Sequence, residues 1–198
     1  MRPRTTLSRA AAAACALTIP IAAAVPADAA VLKKRMHVRV GNKTAVIGST
    51  TPGIVALQVR RHGNWRTIAR DRTTASGRYV LRDRVRRPMS LFARVNLNGT
   101  TTRIVRLNGY RRAYASWYGP GLYGNHLGCG GTLSPGRLGV AHKTLPCGAK
   151  LTLRHRGRSV AVRVIDRGPY VAGREFDLTE RTAQRLHFRG HGTVLTTR

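Results

Sequence analysis

Acidic side chains are scarce in this sequence: 7 Asp and Glu stand against 36 Lys and Arg, for a formal net charge of +29. So thin a supply excludes sites assembled from many carboxylates, such as calcium loops, and makes the search for a catalytic acid short. Beyond Ala29 the carboxylates are Asp71, Asp83, Asp166, Glu175, Asp177 and Glu180. Cysteine is rarer still, with Cys15, Cys129 and Cys147 alone, and aromatic residues make up 6% of the chain. There is no Walker loop, no HExxH and no calcium-loop pattern, so no cofactor and no metal are expected.

Long apolar runs are also missing, with one short exception. Arg2, Arg4 and Arg9 precede an apolar stretch from Ala10 to Val25, which Pro20 interrupts and which ends at Pro26, Ala27, Asp28 and Ala29. The stretch is short for a membrane span and has small residues where a signal peptidase cuts. It reads as a cleaved signal peptide over residues 1–29, so secretion to the cell wall and no stable membrane insertion after cleavage are expected. A rival reading makes Cys15 a lipidated cysteine. Once the signal is gone, Cys129 and Cys147 form an even pair in an oxidising compartment and are expected to form a disulfide. Two free thiols or a metal pair are the competing readings, although neither cysteine has the close CxxC partner of a usual zinc site.

A chain this basic needs an anionic partner or surface. Export argues against nucleic acid and points to peptidoglycan or another anionic wall polysaccharide. Arginine used simply as a solubilising residue is the plain alternative.

From about Val31 to Leu107, short apolar–polar alternations such as IVALQVRR, GRYVLR and LFARVN are broken by turns at Thr51–Gly53, His62–Asn64, Ala75–Gly77 and Asn98–Gly99. About seven such runs are the pattern of an antiparallel sandwich. The pattern resembles immunoglobulin-like modules, giving an immunoglobulin-like β-sandwich over residues 30–108, with Trp65 and Tyr79 in its core and a spacer or adhesive role. Residues 109–113, with Gly109 and two arginines, read as a linker.

Composition changes after the linker. Glycines crowd Gly119 to Gly139, and both cysteines and four of the six carboxylates lie here. Strands are expected in YASWYG, GVAHK, KLTLRHR, SVAVRVID and GTVLTTR. One helix is expected after Asp177, with Asp177 and Glu180 as its capping box.

Four blocks occur in order: ASWYGPGLYG at Ala115–Gly124, VAHKTLPCG at Val140–Gly148, VIDRGPY at Val164–Tyr170 and REFDLTERTAQRL at Arg174–Leu186. Together they resemble the rare lipoprotein A family of double-psi β-barrels, whose relatives by fold include expansins. The resemblance implies an all-β chain ending in a small double-psi β-barrel with one helix over residues 114–198. It also implies lytic transglycosylase activity, which cleaves the MurNAc–GlcNAc bond without water to leave a 1,6-anhydro sugar. The alternative is an expansin-like module that binds glycan without cutting it.

Lytic transglycosylation needs a proton donor for the leaving oxygen and a base for the C6 hydroxyl, and one carboxyl group can serve as both. Asp166 is the candidate, at the end of an apolar strand. Its plain reading is a carboxylate paired with Arg163 or Arg167, or bonded to turn amides. His142 is the second catalytic candidate, set by the resemblance close to the acid, against the reading of a barrel histidine bonded to backbone. Lys143, Tyr170, Asp177, Trp117 and Arg167 are candidate substrate contacts. Trp117, Tyr118, Tyr123 and Tyr170 offer rings on which sugars stack, with core packing as the rival for Trp117. The chain departs from the family at one place. Active members carry a glutamate about 11 positions before the histidine, and counting back from His142 lands on Gly131.

Overall fold

The computed structural model describes residues 35–198; the expected signal peptide, with Cys15 and the cleavage point after Ala29, lies outside the described residues. Strands dominate. β1 (Arg35–Arg39), β2 (Lys43–Ser49), β3 (Ile54–Arg61), β4 (Asn64–Arg72), β5 (Arg78–Arg84), β6 (Met89–Leu97) and β7 (Thr100–Thr101) build the first half. The second half holds β8 (Val105–Tyr118), β9 (Val140–Ala141), β10 (Lys150–His155), β11 (Arg158–Asp166), β12 (Phe176–Thr179), helix α1 (Glu180–Leu186) and β13 (Gly192–Thr196). No helix among the described residues is long and apolar enough to cross a membrane.

The alternation in the first half works as period two demands, since successive side chains point to opposite faces of a strand. Val55, Leu57 and Val59 of β3 point inward, as do Tyr79 and Leu81 of β5 and Ala93, Val95 and Leu97 of β6. They pack into one core between a sheet containing β4, β3, β6, β8 and β1 and the separate two-stranded antiparallel β2–β5 sheet. Tyr79 is fully buried. Trp65 is only partly covered, by the Arg94 guanidinium 4.2 Å above its ring.

The segment read as a linker, 109–113, is not one. It lies within β8, whose first part pairs with β1 and β6 and whose second part pairs with β12 and β13. Gly109 serves close packing rather than flexibility, because a Cβ there would sit 2.6 Å from a Val85 methyl carbon.

The second half closes into a six-stranded barrel in the order β8, β13, β10, β11, β9, β12 and back to β8. Closure removes the exposed edges that a small sheet would otherwise present. Its core gathers Ala115, Val140, Leu153, Val164, Phe176 and Leu178, capped by Leu186 and Phe188 from and after α1. Helix α1 begins later than expected. Its N-cap is Thr179, whose hydroxyl accepts from the Thr182 amide, so the capping box at Asp177 is corrected. Phe176 to Thr179 form a strand between β8 and β9, because Phe176 and Leu178 fill the barrel interior while Asp177 points away from it. The carboxylate of Asp177 is thereby released from capping.

Candidate active site

Asp166 ends β11 where the parallel pairing with β9 slips: Val164 faces Val140 and Asp166 faces Ala141, with Ile165 as the extra residue. Such a bulge re-aims the side chain beside it. One carboxylate oxygen, Oδ1, accepts from the Gly128 amide at 2.7 Å and from the Arg167 amide at 2.8 Å. Two backbone amides therefore fix the orientation of this carboxylate. Neither Arg163 nor Arg167 pairs with it. The Arg167 guanidinium is committed to the carbonyls of His142 (3.1 Å) and Leu145 (2.7 Å) and to the Cys147 sulfur, which makes Arg167 a clamp on the His142–Cys147 loop.

Cys129 and Cys147 are joined, with their Cα atoms 5.4 Å apart. The bond ties the loop that supplies the Gly128 amide to the loop that follows His142. Both flanks of Asp166 are therefore held.

Asp177, on β12, lies half-buried and accepts a 2.7 Å hydrogen bond from Ser116 Oγ on the adjacent β8. Burial raises its pKa above the ordinary carboxylate range; the Ser116 hydroxyl and Arg174 oppose this, and the charge of Asp166 adds to it. Asp166 and Asp177 thus share one electrostatic neighbourhood, in which burial biases Asp177 toward the protonated form. A carboxyl held toward its acid form is suited to the role of general acid.

Tyr118 feels the charge of both Asp166 and Asp177. Its hydroxyl is buried with no partner at hydrogen-bonding geometry. Burial, followed by the charge of Asp166, pushes its pKa well above the usual phenol range, so it remains a neutral proton donor. Arg137 is the cation that partly offsets this. The same arginine reaches the place of the family glutamate, lying 3.6 Å from the position a Cβ on Gly131 would take. Gly131 has φ +77°, a left-handed conformation that disfavours any side chain there.

His142 is fixed by its own loop. Its Nδ1 accepts from the amides of Thr144 (3.1 Å) and Leu145 (3.0 Å), which leaves the ring proton on Nε2. Nε2 points toward Glu175 Oε1 at 3.8 Å, and Glu175 is gripped by both terminal nitrogens of Arg111, one at 2.7 Å. Burial lowers the His142 pKa, with Glu175 opposing, so the ring is neutral near pH 7. Its ring also packs on Phe176, centroids 4.9 Å apart.

Of the remaining candidates, Tyr170 is 82% exposed beside Pro169 and is open for stacking, and Lys143 is exposed in the loop after His142. Trp117 belongs elsewhere. It lines a hollow of about 530 Å³ with Glu180, Gln184, His187, Phe188 and Arg189, a set containing none of Asp166, Asp177 or His142. Tyr123 is bound to the Glu180 carboxylate. Among the described residues no three His, Cys, Asp or Glu side chains cluster as a metal site.

Sequence reasoning missed Ser116, Tyr118 as a proton-bearing group, Arg137, and the Arg111–Glu175 pair behind His142. Glu175 had one available signal: it is among only six carboxylates beyond Ala29 and alternates with Asp177. Arg111 had none, because the contact spans 64 residues.

A closed six-stranded barrel with one helix, and with Asp166 at the end of one strand and Asp177 within another, defines a small double-psi β-barrel domain. A family model described as lytic transglycolase matches residues 110–197. The domain formed by these residues belongs to the rare lipoprotein A (RlpA)-like double-psi β-barrel family. The chain is similar to the probable endolytic peptidoglycan transglycosylase RlpA of Synechocystis sp., 41% identical over 106 residues, covering 52% of this chain and 32% of that protein. It is also similar to the endolytic peptidoglycan transglycosylase RlpA of Campylobacter jejuni, 39% identical over 102 residues, 50% of this chain and 37% of that one. The probable RlpA of Aquifex aeolicus is 39% identical over 87 residues, 43% of this chain and 38% of that one. The chain thus spans about a third of the length of the curated relatives it matches.

Proposed function

We propose that this chain is an exported lytic transglycosylase of peptidoglycan, cleaving MurNAc–GlcNAc bonds to 1,6-anhydro products. The observation that carries the reading is the electrostatically coupled Asp166–Asp177 pair, in which burial holds Asp177 toward its protonated form while two backbone amides orient Asp166. Asp177 donates its proton to the glycosidic oxygen as the bond from C1 to that oxygen breaks. The Asp166 carboxylate takes the proton of the muramic C6 hydroxyl as that oxygen closes on C1. No water is consumed, and proton exchange resets the pair. Relative to the expectation from sequence, Asp166 keeps the base role and Asp177 assumes that of the acid. Neutral His142, oriented by its loop amides, presents a fixed Nε2–H donor; Lys143 and Tyr170 supply exposed contacts for substrate. The names of the relatives support peptidoglycan as substrate and a site of action outside the cytoplasm, in the wall, reached through the signal peptide over residues 1–29. The strands before the barrel act as an immunoglobulin-like spacer or adhesive module.

A second reading, binding without cleavage, is favoured by one observation: the place of the family glutamate is Gly131, in a backbone conformation unsuited to a side chain and beside Arg137. Digestion of peptidoglycan in ¹⁸O-labelled water separates the outcomes. Transglycosylation gives unlabelled 1,6-anhydro ends and hydrolysis gives labelled reducing ends. Retention on peptidoglycan with neither product refutes the enzyme.

A further inference from the structure

Where the first-half sheet meets the barrel, two adjoining hollows of about 630 and about 790 Å³ share Ser90, Lys150 and Arg198. Arg60, Arg61 and Arg87 line one lobe, Arg106 and Arg163 the other, and no Asp or Glu lines either. The two ion contacts formed among the described residues both go to Glu175, so none of these cations is neutralised by a carboxylate. Arg61 Nε is buried with no hydrogen-bond partner, a donor left waiting for an acceptor. Arg106 is held flat over the Phe92 ring at 4.0 Å, which fixes its guanidinium in the cleft before any ligand arrives. Arg60, Arg163 and Arg198 each spend a single nitrogen on a backbone carbonyl, leaving the rest of each guanidinium free.

We infer that this cleft is a binding site for a linear polyanion whose charges are phosphodiesters along a polyol or sugar chain. A small anion cannot satisfy cations spread through two lobes, so the charge must repeat along the ligand. The cations are mostly arginine, whose planar fork engages phosphate oxygens two at a time. Nucleic acid fits poorly, because single-strand binding relies on aromatic platforms for base stacking. The cleft has Phe92 alone, and Arg106 already covers its face. The site would hold the chain on a phosphate-bearing wall polymer while the barrel works on glycan, and it does not rest on the catalytic reading.

The test measures binding of the purified chain to a fluorescent poly(glycerol phosphate) by anisotropy across a salt series. The triple variant Arg87→Gln, Arg106→Gln, Lys150→Gln removes cleft cations; Arg66→Gln, Arg70→Gln, Arg78→Gln removes as many exposed arginines elsewhere. The double Arg87→Gln, Lys150→Gln, confined to exposed positions, guards against loss of folding in the triple. We expect the cleft triple to weaken binding roughly tenfold or more and to lower the slope of log K against log salt by about 2, since each phosphate contact contributes roughly 0.7–0.9. The double should lose a smaller but clear part, the surface triple less than about threefold, and Asp166→Asn should bind like the parent. Equal losses in the cleft and surface triples would overturn the proposal. So would oligothymidylate or polygalacturonate of matched charge binding as tightly as the phosphate polymer.

Discussion

Replacing Cys129 and Cys147 with serine tests how far the flanks of Asp166 depend on their covalent tie. The bond joins positions 18 apart in sequence. In the chain-entropy account, opening a loop of that size restores about 3 kcal/mol of freedom to the unfolded chain. At roughly 4–8 °C per kcal/mol for a domain of this size, the barrel's melting midpoint should fall by roughly 12–24 °C. The native state is affected as well. Cys129 follows Gly128, whose amide bonds Asp166, and the Cys147 sulfur receives Arg167 Nη2 at 2.9 Å. A hydrogen bond to a charged group is worth about 1.5–3 kcal/mol, so loosening Gly128 should cost roughly tenfold or more in turnover at a temperature where the variant is still folded. Thermal unfolding followed by circular dichroism, with turnover measured well below the midpoint, reads both effects. A midpoint lowered by less than about 4 °C, or turnover unchanged, would refute the reasoning.

Asp177→Asn tests the raised pKa of Asp177 through stability. A carboxyl whose folded pKa lies above its unfolded value of 3.8 contributes stability at pH values below that unfolded value and loses it as pH rises through the folded one. The variant should therefore gain melting temperature relative to the parent between pH 3 and pH 7; a difference independent of pH contradicts the burial argument. Glu175→Gln removes the charge that opposes the lowered pKa of His142, so the imidazole NMR titration should move to still lower pH, and an upward movement would contradict the assigned contact. Gly128→Ala places a Cβ 2.8 Å from Arg167 Cγ and 3.1 Å from Asp166 Oδ1. Misplacement of a reacting group by about 1 Å costs up to about 100-fold. Turnover should fall at least tenfold while binding to peptidoglycan persists; full activity would show that the Asp166 geometry is not critical.

What could be read in advance follows from range in sequence. Strands of the first half announced themselves through local alternation, and the barrel through four blocks in fixed order. The disulfide followed from an even pair of cysteines beyond the expected export signal. Residues 174–179 misled because Asp177 and Glu180 have capping-box spacing, and local spacing alone cannot reveal that β8 and β9 wait on either side to take Phe176–Thr179 as a strand. The linker failed for a similar reason: Gly109 and polar neighbours look flexible until Val85 is seen packed against the glycine. Asp166 and a bond to its own turn amide were visible; the Gly128 amide was not, since it lies 38 residues away. The raised pKa of Asp177 depends on burial, which only the folded barrel creates.

The central proposal is that Asp177 as acid and Asp166 as base cleave glycan strands. Incubating purified peptidoglycan with the parent chain, Asp166→Asn and Asp177→Asn, and analysing the products by mass spectrometry, tests it most directly. The account predicts 1,6-anhydromuropeptides from the parent and a loss of at least 100-fold in each variant, with all three still sedimenting with peptidoglycan. Undiminished 1,6-anhydro product from either variant, or none from a parent that binds, would contradict it.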